Sequence, residues 1–130
     1  MVTISRGGRQ SAFTLVELLT VLAIIAVLLT VALPRYLGSV DRSRDVALKE
    51  NLKVLRASLD KHHADYGRYP DSLDQLVERR YLRAVPVDPV TESAQTWIAL
   101  PAREPGEPGI ADVRSGAAGA AKDGTSYESF

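Results

Sequence analysis

One acidic side chain lies inside an otherwise uncharged apolar run near the start of this sequence. Phe13–Leu33 contains 21 residues, and Glu17 is the only charged residue among them. Placing an ionised carboxylate at the centre of a membrane costs about 2.5–3.5 kcal/mol on insertion scales. An apolar segment that keeps Glu17 therefore predicts a positively charged partner for it.

The residues just before Glu17 offer a source of that positive charge. Cleavage of the peptide bond between Ala12 and Phe13 would give Phe13 a new amino group four residues before the acid. The amine of one chain could then neutralise Glu17 of a neighbouring chain and fix the axial stagger between the two copies. On this hypothesis Glu17 is a residue of subunit assembly.

The apolar run must be positioned by a membrane or by other apolar helices. As a helix it would be about 30 Å long, enough to cross a bilayer. A plain membrane anchor explains the run equally well. A secretory signal peptide fits less well, because its small residues should follow the apolar core, whereas Ser11-Ala12 precede it. Residues 1–12 carry Arg6 and Arg9 and no acid, so the positive-inside rule places them in the cytoplasm and the later residues outside it.

The helical pattern continues beyond Pro34, where the missing backbone donor predicts a kink. One apolar stripe follows at helical spacing and consists of Leu48, Leu52, Leu55 and Leu59. The helix is expected to end near Tyr66, with Gly67 as its C-terminal cap. Its second half therefore has one face to bury against a head domain.

The remaining residues predict a small α+β head. Asp71 or Ser72 can cap a short helix that ends near Arg80. Strand formers occupy Thr96–Leu100 and, more weakly, Ile110–Arg114. Residues 115–126 are rich in glycine and alanine, with a turn at 122–124, and fit either a loop or a disordered tail.

The predicted fold is thus a long N-terminal α-helix packed on a small antiparallel β-sheet. The expected segments are a cytoplasmic leader at 1–12, a transmembrane and assembly helix at 13–33, an amphipathic continuation at 34–66 and a periplasmic head at 67–130.

Composition excludes several functions. The 16 basic and 16 acidic residues balance, so the basic footprint of a nucleic-acid-binding protein is absent, and the chain has no cysteine. His62, His63 and Asp65 could suggest a transition-metal site. Adjacent histidines on a helix project about 100° apart, however, so a polar helix end is the favoured interpretation. No nucleophile and base stand at a plausible spacing, and we expect no catalytic residue and no enzymatic activity.

The segment Ala12-Phe13-Thr14-Leu15-Val16-Glu17 resembles the processing site of type IV pilins and type II secretion pseudopilins, although Ala12 stands where glycine is usual. The resemblance implies cleavage before Phe13 by a prepilin peptidase and methylation of the new amine. The head is similar to that of the major pseudopilin of type II secretion. The matching stretches are Arg68-Tyr69-Pro70, Val85-Pro86-Val87-Asp88-Pro89 and Asp112-Val113-Arg114-Ser115-Gly116.

This resemblance implies a structural subunit of a helical homo-oligomeric filament, anchored in the inner membrane and assembled in the periplasm. The implied partners are the prepilin peptidase, an inner-membrane assembly platform and minor pseudopilins, and no organic cofactor is expected. It also implies calcium in a glycine-rich terminal loop, with Asp123 as the best carboxylate and Ser115 and Asp112 as further ligands. A type IV pilin or minor pilin of a surface fibre remains an alternative, as does a monomeric membrane-anchored binding module.

Overall fold

The computed structural model describes residues 2–3 and 12–130. Most of the expected leader at 1–12 lies outside the described residues. The chain divides into two compact units, Met1–Leu37 and Gly38–Phe130. The elements in chain order are the helices α1 (Leu15–Tyr66) and α2 (Leu73–Glu78), the strands β1 (Ile98–Pro101) and β2 (Ile110–Arg114), and a 3-10 helix, η1 (Tyr127–Ser129).

The first unit contains the apolar part of α1. This helix is long and apolar enough to cross a membrane, and its apolar window has none of its residues buried inside the protein. The hydroxyl groups within it are satisfied locally: Thr20 donates to the carbonyl of Val16 at 2.7 Å, and Thr30 donates to that of Val27 at 2.6 Å. Because the hydroxyl groups of Thr20 and Thr30 donate within the helix, this surface suits lipid or the apolar faces of other helices.

The core of the second unit lies along the predicted leucine stripe of α1. All four leucines are at most 1% exposed, which confirms the prediction. The cluster around them consists of Leu48, Leu52, Leu55, Leu59, Leu76, Trp97 and Val113. Burying one such leucine contributes roughly 1.5–3 kcal/mol, so the stripe is the main source of head stability.

Local signals set the ends of the helices as expected. Tyr66 is the last residue of α1, and Gly67 adopts a φ of +69°. The N–H of Gly67 donates to the carbonyl of His63 at 2.8 Å, which closes the final turn. Ser72 caps α2 by accepting the N–H of Gln75 at 3.3 Å.

The two strands form an antiparallel hairpin in which Ile98 pairs with Arg114 and Leu100 with Asp112. The sheet confirms both predicted strands, although β1 begins two residues later than expected. Gly116 follows β2 at a very close approach, because a Cβ there would lie 2.2 Å from the carbonyl oxygen of Thr96. Only glycine allows the two backbones to pass at this distance.

Residues 115–126 form a folded loop rather than the disordered tail that the composition also allowed. Ala120 and Ser126 form an isolated antiparallel bridge, and the 3-10 helix follows directly. Ala117 and Ala121 are 6% and 7% exposed, so the small side chains are packed inward. Composition indicated flexibility, whereas tertiary contacts from α1 fix the loop.

Candidate functional site

The expected processing site lies outside the helix. Ala12, Phe13 and Thr14 are exposed and non-helical, and α1 begins at Leu15 rather than at Phe13. The Phe13 side chain is 84% exposed. The peptide bond between Ala12 and Phe13 is therefore exposed and outside the helix, so a protease can reach it without unwinding α1.

Thr14 and Glu17 form a reciprocal capping box at the start of α1. The N–H of Glu17 donates to Thr14 Oγ1 at 3.2 Å, and the N–H of Thr14 donates to Glu17 Oε2 at 3.3 Å. Glu17 thus belongs to the first turn of α1. The threonine three residues before a glutamate is a sequence signal for this arrangement, and the apolar pattern concealed it.

The Glu17 carboxylate retains the capacity to bind a cation. Its recorded hydrogen bond uses one oxygen, from a backbone N–H at 3.3 Å. None of the ion pairs found within the described part of the chain includes Glu17. Any positive partner must therefore come from outside the described residues of this chain. The pairing of Glu17 with a Phe13 amine remains a prediction.

Pro34 lies inside α1, with helical residues on both sides. Its missing N–H removes one backbone hydrogen bond from the helix. The kink that we predict at Pro34 stays a prediction.

The three expected calcium ligands have separate partners. Asp112 accepts the Nε–H of Arg56 at 2.8 Å. Asp123 accepts the N–H of Thr125 at 2.9 Å and lies 3.8 Å from the ammonium of Lys49. The backbone N–H of Thr125 is the main reason that the pKa of Asp123 is lowered.

The third residue, Ser115, is 1% exposed and donates its hydroxyl to the carboxylate of Asp88. Within residues 2–3 and 12–130, no group of three His, Cys, Asp or Glu side chains could hold a metal ion. Asp112, Ser115 and Asp123 each have a separate protein partner, and calcium binding by these three residues stays a prediction.

Asp88 is a buried acid that sequence reasoning did not identify as important. It is 0% exposed and accepts the N–H groups of Val90 at 2.8 Å and Thr91 at 3.3 Å, in addition to the hydroxyl of Ser115. Three donors surround one carboxylate, as a buried charge requires. The position before a proline signalled a turn but gave no sign of the donor from Ser115.

His62 lies near the end of α1 and is buried, with 0% of its surface exposed. Its Nδ1 lies 2.8 Å from the carbonyl oxygen of Arg68, and its Nε2 lies 2.6 Å from an amino group of Arg79. A neutral ring with the proton on Nδ1 satisfies both contacts. Both ring nitrogens are occupied, so His62 ties α1 to the segment that follows α2. His63 pairs separately with Glu107 at 2.6 Å.

Comparison with known proteins adds to these local features. Residues 7–33 match a family model described as the prokaryotic N-terminal methylation motif. The type II secretion system core protein G of Klebsiella pneumoniae is 28% identical over 123 residues, covering 82% of this chain and 84% of the relative. The corresponding protein of Pseudomonas aeruginosa is 29% identical over 97 residues, covering 62% and 68%.

A third relative is the competence protein ComGC of Halalkalibacterium halodurans. It is 36% identical over 73 residues, covering 56% of this chain and 72% of the relative. No solved structure matches the chain significantly. The capping box at Glu17, the exposed apolar helix and the leucine-lined head occur in one chain with the methylation motif. The chain therefore belongs to the type IV pilin and pseudopilin superfamily and is similar to the core protein G of type II secretion systems.

Proposed function

We propose that this protein is the structural pseudopilin subunit of a type II secretion system. After processing, its copies assemble through their apolar helices into a periplasmic filament that drives protein export. The relatives named core protein G of type II secretion systems support this assignment, and the match to the Klebsiella protein extends over 82% of the chain.

The main observation behind the proposal is the exposure of the apolar side chains in the first half of α1. The described residues leave its apolar side chains uncovered: Leu15 is 74% exposed, Val27 65% and Leu28 63%. A bilayer covers such a surface before assembly, and the helices of neighbouring subunits cover it in a filament. Both environments disfavour an unpaired carboxylate, so Glu17 selects packings that bring a cation to it.

The Phe13 amine is the cation that processing supplies. Cleavage after Ala12 creates it, and N-methylation at Phe13 retains its positive charge. Because the capping box uses Glu17 Oε2, the other oxygen can accept the amine of a neighbouring chain without unwinding the first turn. The pair sets the register between subunits in the same way that a single buried polar residue sets the register of a coiled coil.

The proposed location follows from the same segment. The chain crosses the inner membrane once, with residues 1–12 in the cytoplasm and the head in the periplasm. The prepilin peptidase acts first, and an inner-membrane assembly platform with minor pseudopilins then receives the processed subunit. The filament is the product of these steps, and the energy for its growth comes from a separate ATPase.

Processing is tested by mass spectrometry of the protein extracted from membranes. The assembled material should begin at Phe13 and carry one N-methyl group. Full-length chains that still contain Met1 in isolated filaments would contradict the proposal. A Phe13 amine without methylation would leave the assembly argument intact and remove only the modification.

Assembly is tested by three substitutions that separate charge from helix capping. Glu17→Gln keeps a side chain that can complete the capping box but removes the charge. Thr14→Ala removes the reciprocal cap and keeps the carboxylate, at a cost of about 1 kcal/mol to the helix end. Glu17→Ala removes both. If charge pairing drives assembly, the Gln and Ala variants fail together and Thr14→Ala still assembles.

Because the chain has no cysteine, intersubunit contacts can be followed with single engineered cysteines. Leu18→Cys should give oxidised dimers in wild-type filaments and few in the Glu17→Gln background. Equal crosslinking in both would show that charge does not determine the register.

A pilin of another filament is the second candidate, favoured by the 36% identity to the competence protein over 73 residues. The assembly physics is shared, so Glu17 variants do not separate the candidates. Deletion of the gene does: retention of exoproteins in the periplasm supports secretion, whereas loss of surface fibres or of DNA uptake with normal secretion supports the alternative.

A further inference from the structure

Asp45 is a nearly buried acid on α1 that binds the glycine- and alanine-rich loop at two points. It is 7% exposed. One carboxylate oxygen accepts the N–H of Lys122 at 2.9 Å, and the other accepts the hydroxyl of Tyr127 at 2.8 Å. The two donors are 77 and 82 residues away in the chain, so these bonds hold the loop to the helix on both sides of its turn.

Tyr127, the donor of the second bond, has a hydroxyl group that holds its proton tightly next to Asp45. Burial, followed by the hydrogen bond and the charge of Asp45, raises the pKa of Tyr127 to about 12. The hydroxyl therefore keeps its proton throughout the physiological range and can donate to the carboxylate.

The loop also uses its own carbonyl oxygens. Gly119 accepts the N–H of Tyr127 at 3.2 Å, Ala121 accepts that of Gly124 at 2.9 Å, and Thr125 accepts that of Ala121 at 2.8 Å. Calcium in proteins takes six to eight oxygen ligands, many of them backbone carbonyls. Here backbone donors already bind three of the loop's carbonyl oxygens, which leaves fewer free oxygens for a cation.

Two ammonium groups belong to the residues that hold this loop to α1, one next to Asp123 and one over Gly38. Lys49 Nζ is 3.8 Å from the carboxylate of Asp123 and 4.6 Å from the centre of the Phe130 ring. Lys122 Nζ packs over Gly38, where an added Cβ would be only 2.7 Å away. Both positive charges repel a divalent ion, and Lys49 already neutralises the best candidate ligand.

We propose that Asp45, together with Lys49 and Lys122, closes the terminal loop in place of a calcium ion. The loop then folds without metal, and the head is stable at any calcium concentration of its compartment. The inference concerns the folding of Gly38–Phe130 and does not rest on filament assembly. Failure of the subunit to assemble would therefore not contradict this inference.

The first test is thermal unfolding of the full chain in detergent, followed by the fluorescence of Trp97, the single tryptophan and a residue of the core. The wild-type midpoint should change by less than about 1 °C between excess chelator and millimolar calcium. Saturating calcium at a structural site would instead raise the midpoint, by roughly ten degrees or more at a hundredfold excess over the dissociation constant. Such a rise would overturn the proposal.

The second test is substitution of Asp45 and of its hydrogen-bond partner Tyr127. Asp45→Asn should lower the midpoint by about 4–8 °C, with and without chelator alike. Tyr127→Phe removes one of the two bonds and should lower it by a smaller amount. Asp41→Asn, an exposed acid one helical turn earlier, is the matched control and should leave it unchanged.

Hydrogen exchange keeps the proposal testable if the Asp45 variant folds poorly. In the wild-type chain with chelator, the Lys122 amide should exchange slowly, since its N–H is bonded to Asp45. In Tyr127→Phe, which keeps that bond, the same amide should remain protected. Rapid exchange of the Lys122 amide in chelated wild-type protein, with protection restored by calcium, would show that a metal closes the loop.

Discussion

Substitution of the buried Asp88 is predicted to cause a large and measurable loss of head stability. Replacing it with alanine removes the acceptor of three donors: the N–H groups of Val90 and Thr91 at 2.8 and 3.3 Å, and the hydroxyl of Ser115. Asp88 is 0% exposed and Ser115 is 1% exposed, so water cannot readily replace the lost acceptor. Asp88→Ala should therefore leave the buried hydroxyl of Ser115 and two partly buried N–H groups without partners.

The size of the effect follows from those contacts. A buried donor left unsatisfied costs about 1–3 kcal/mol. Thr91 has the longest bond, and the Ser115 hydroxyl can rotate, so the three penalties are not all at their maximum. We expect Asp88→Ala to lower the free energy of unfolding of the head by about 3–5 kcal/mol, a large part of the roughly 5–15 kcal/mol of a typical domain.

Asp88→Asn is the graded comparison. It preserves the shape and one acceptor oxygen for the backbone N–H groups, but it presents an amide to Ser115. Its expected loss is smaller, about 1–2 kcal/mol. Glu104→Ala, at an exposed acid in the loop between the strands, is the control and should stay within about 0.5 kcal/mol of wild type.

Urea unfolding of the full chain in detergent measures all three variants. Trp97 is 9% exposed and donates its Nε1–H to the carbonyl of Pro86 at 2.8 Å, so its emission reports loss of the core around Asp88. The expected order of midpoints is control, Asn, then Ala. A midpoint for Asp88→Ala equal to that of the control would refute the reasoning, since the donors would then have found other partners.

Two further predictions concern close packing and alkaline pH. Gly116→Ala places a Cβ 2.2 Å from the Thr96 carbonyl oxygen and should cost at least about 1–3 kcal/mol in the same urea assay, an expectation that an unchanged midpoint would contradict. The pKa of Tyr127 is raised to about 12, above the unfolded value of 10, so its bond stabilises the head fully below pH 10 and is lost between pH 10 and 12. Tyr127→Phe should lose less stability than wild type over that interval, and melting curves at pH 9 to 12 compare the two slopes.

Features of the fold that depend on neighbours in sequence could be predicted. The leucine stripe at Leu48–Leu59 follows from helical spacing, and all four leucines are buried. The C-cap at Gly67 and the N-cap at Ser72 depend on residues within one turn, as does the capping box at Thr14. In each case one short window contains both the signal and its partner.

The buried polar groups could not be predicted, because their partners are remote. Asp45 bonds with donors 77 and 82 residues away, Asp88 with a hydroxyl 27 residues away and His62 with Arg79, 17 residues away. Before folding, each is an ordinary polar residue in a turn or on a helix. The same limit applies to the loop at 115–126: its composition suited an ion, and only the fold shows which backbone N–H groups bind the carbonyls of Gly119, Ala121 and Thr125.

Asp45 and Glu17 are both acids of α1 that need donors where water is excluded, and these donors have different origins. Asp45 is buried in the head, and donors of its own chain satisfy both of its oxygens. Glu17 lies in an apolar segment and receives from its own chain one backbone N–H at 3.3 Å, which leaves it short of partners once water is removed. An acid whose carboxylate is fully hydrogen-bonded within its own chain stabilises the fold. An acid whose carboxylate is only partly hydrogen-bonded needs a donor or a cation from another molecule. Head stability should therefore depend on Asp45 and not on Glu17, and subunit association on the charge of Glu17.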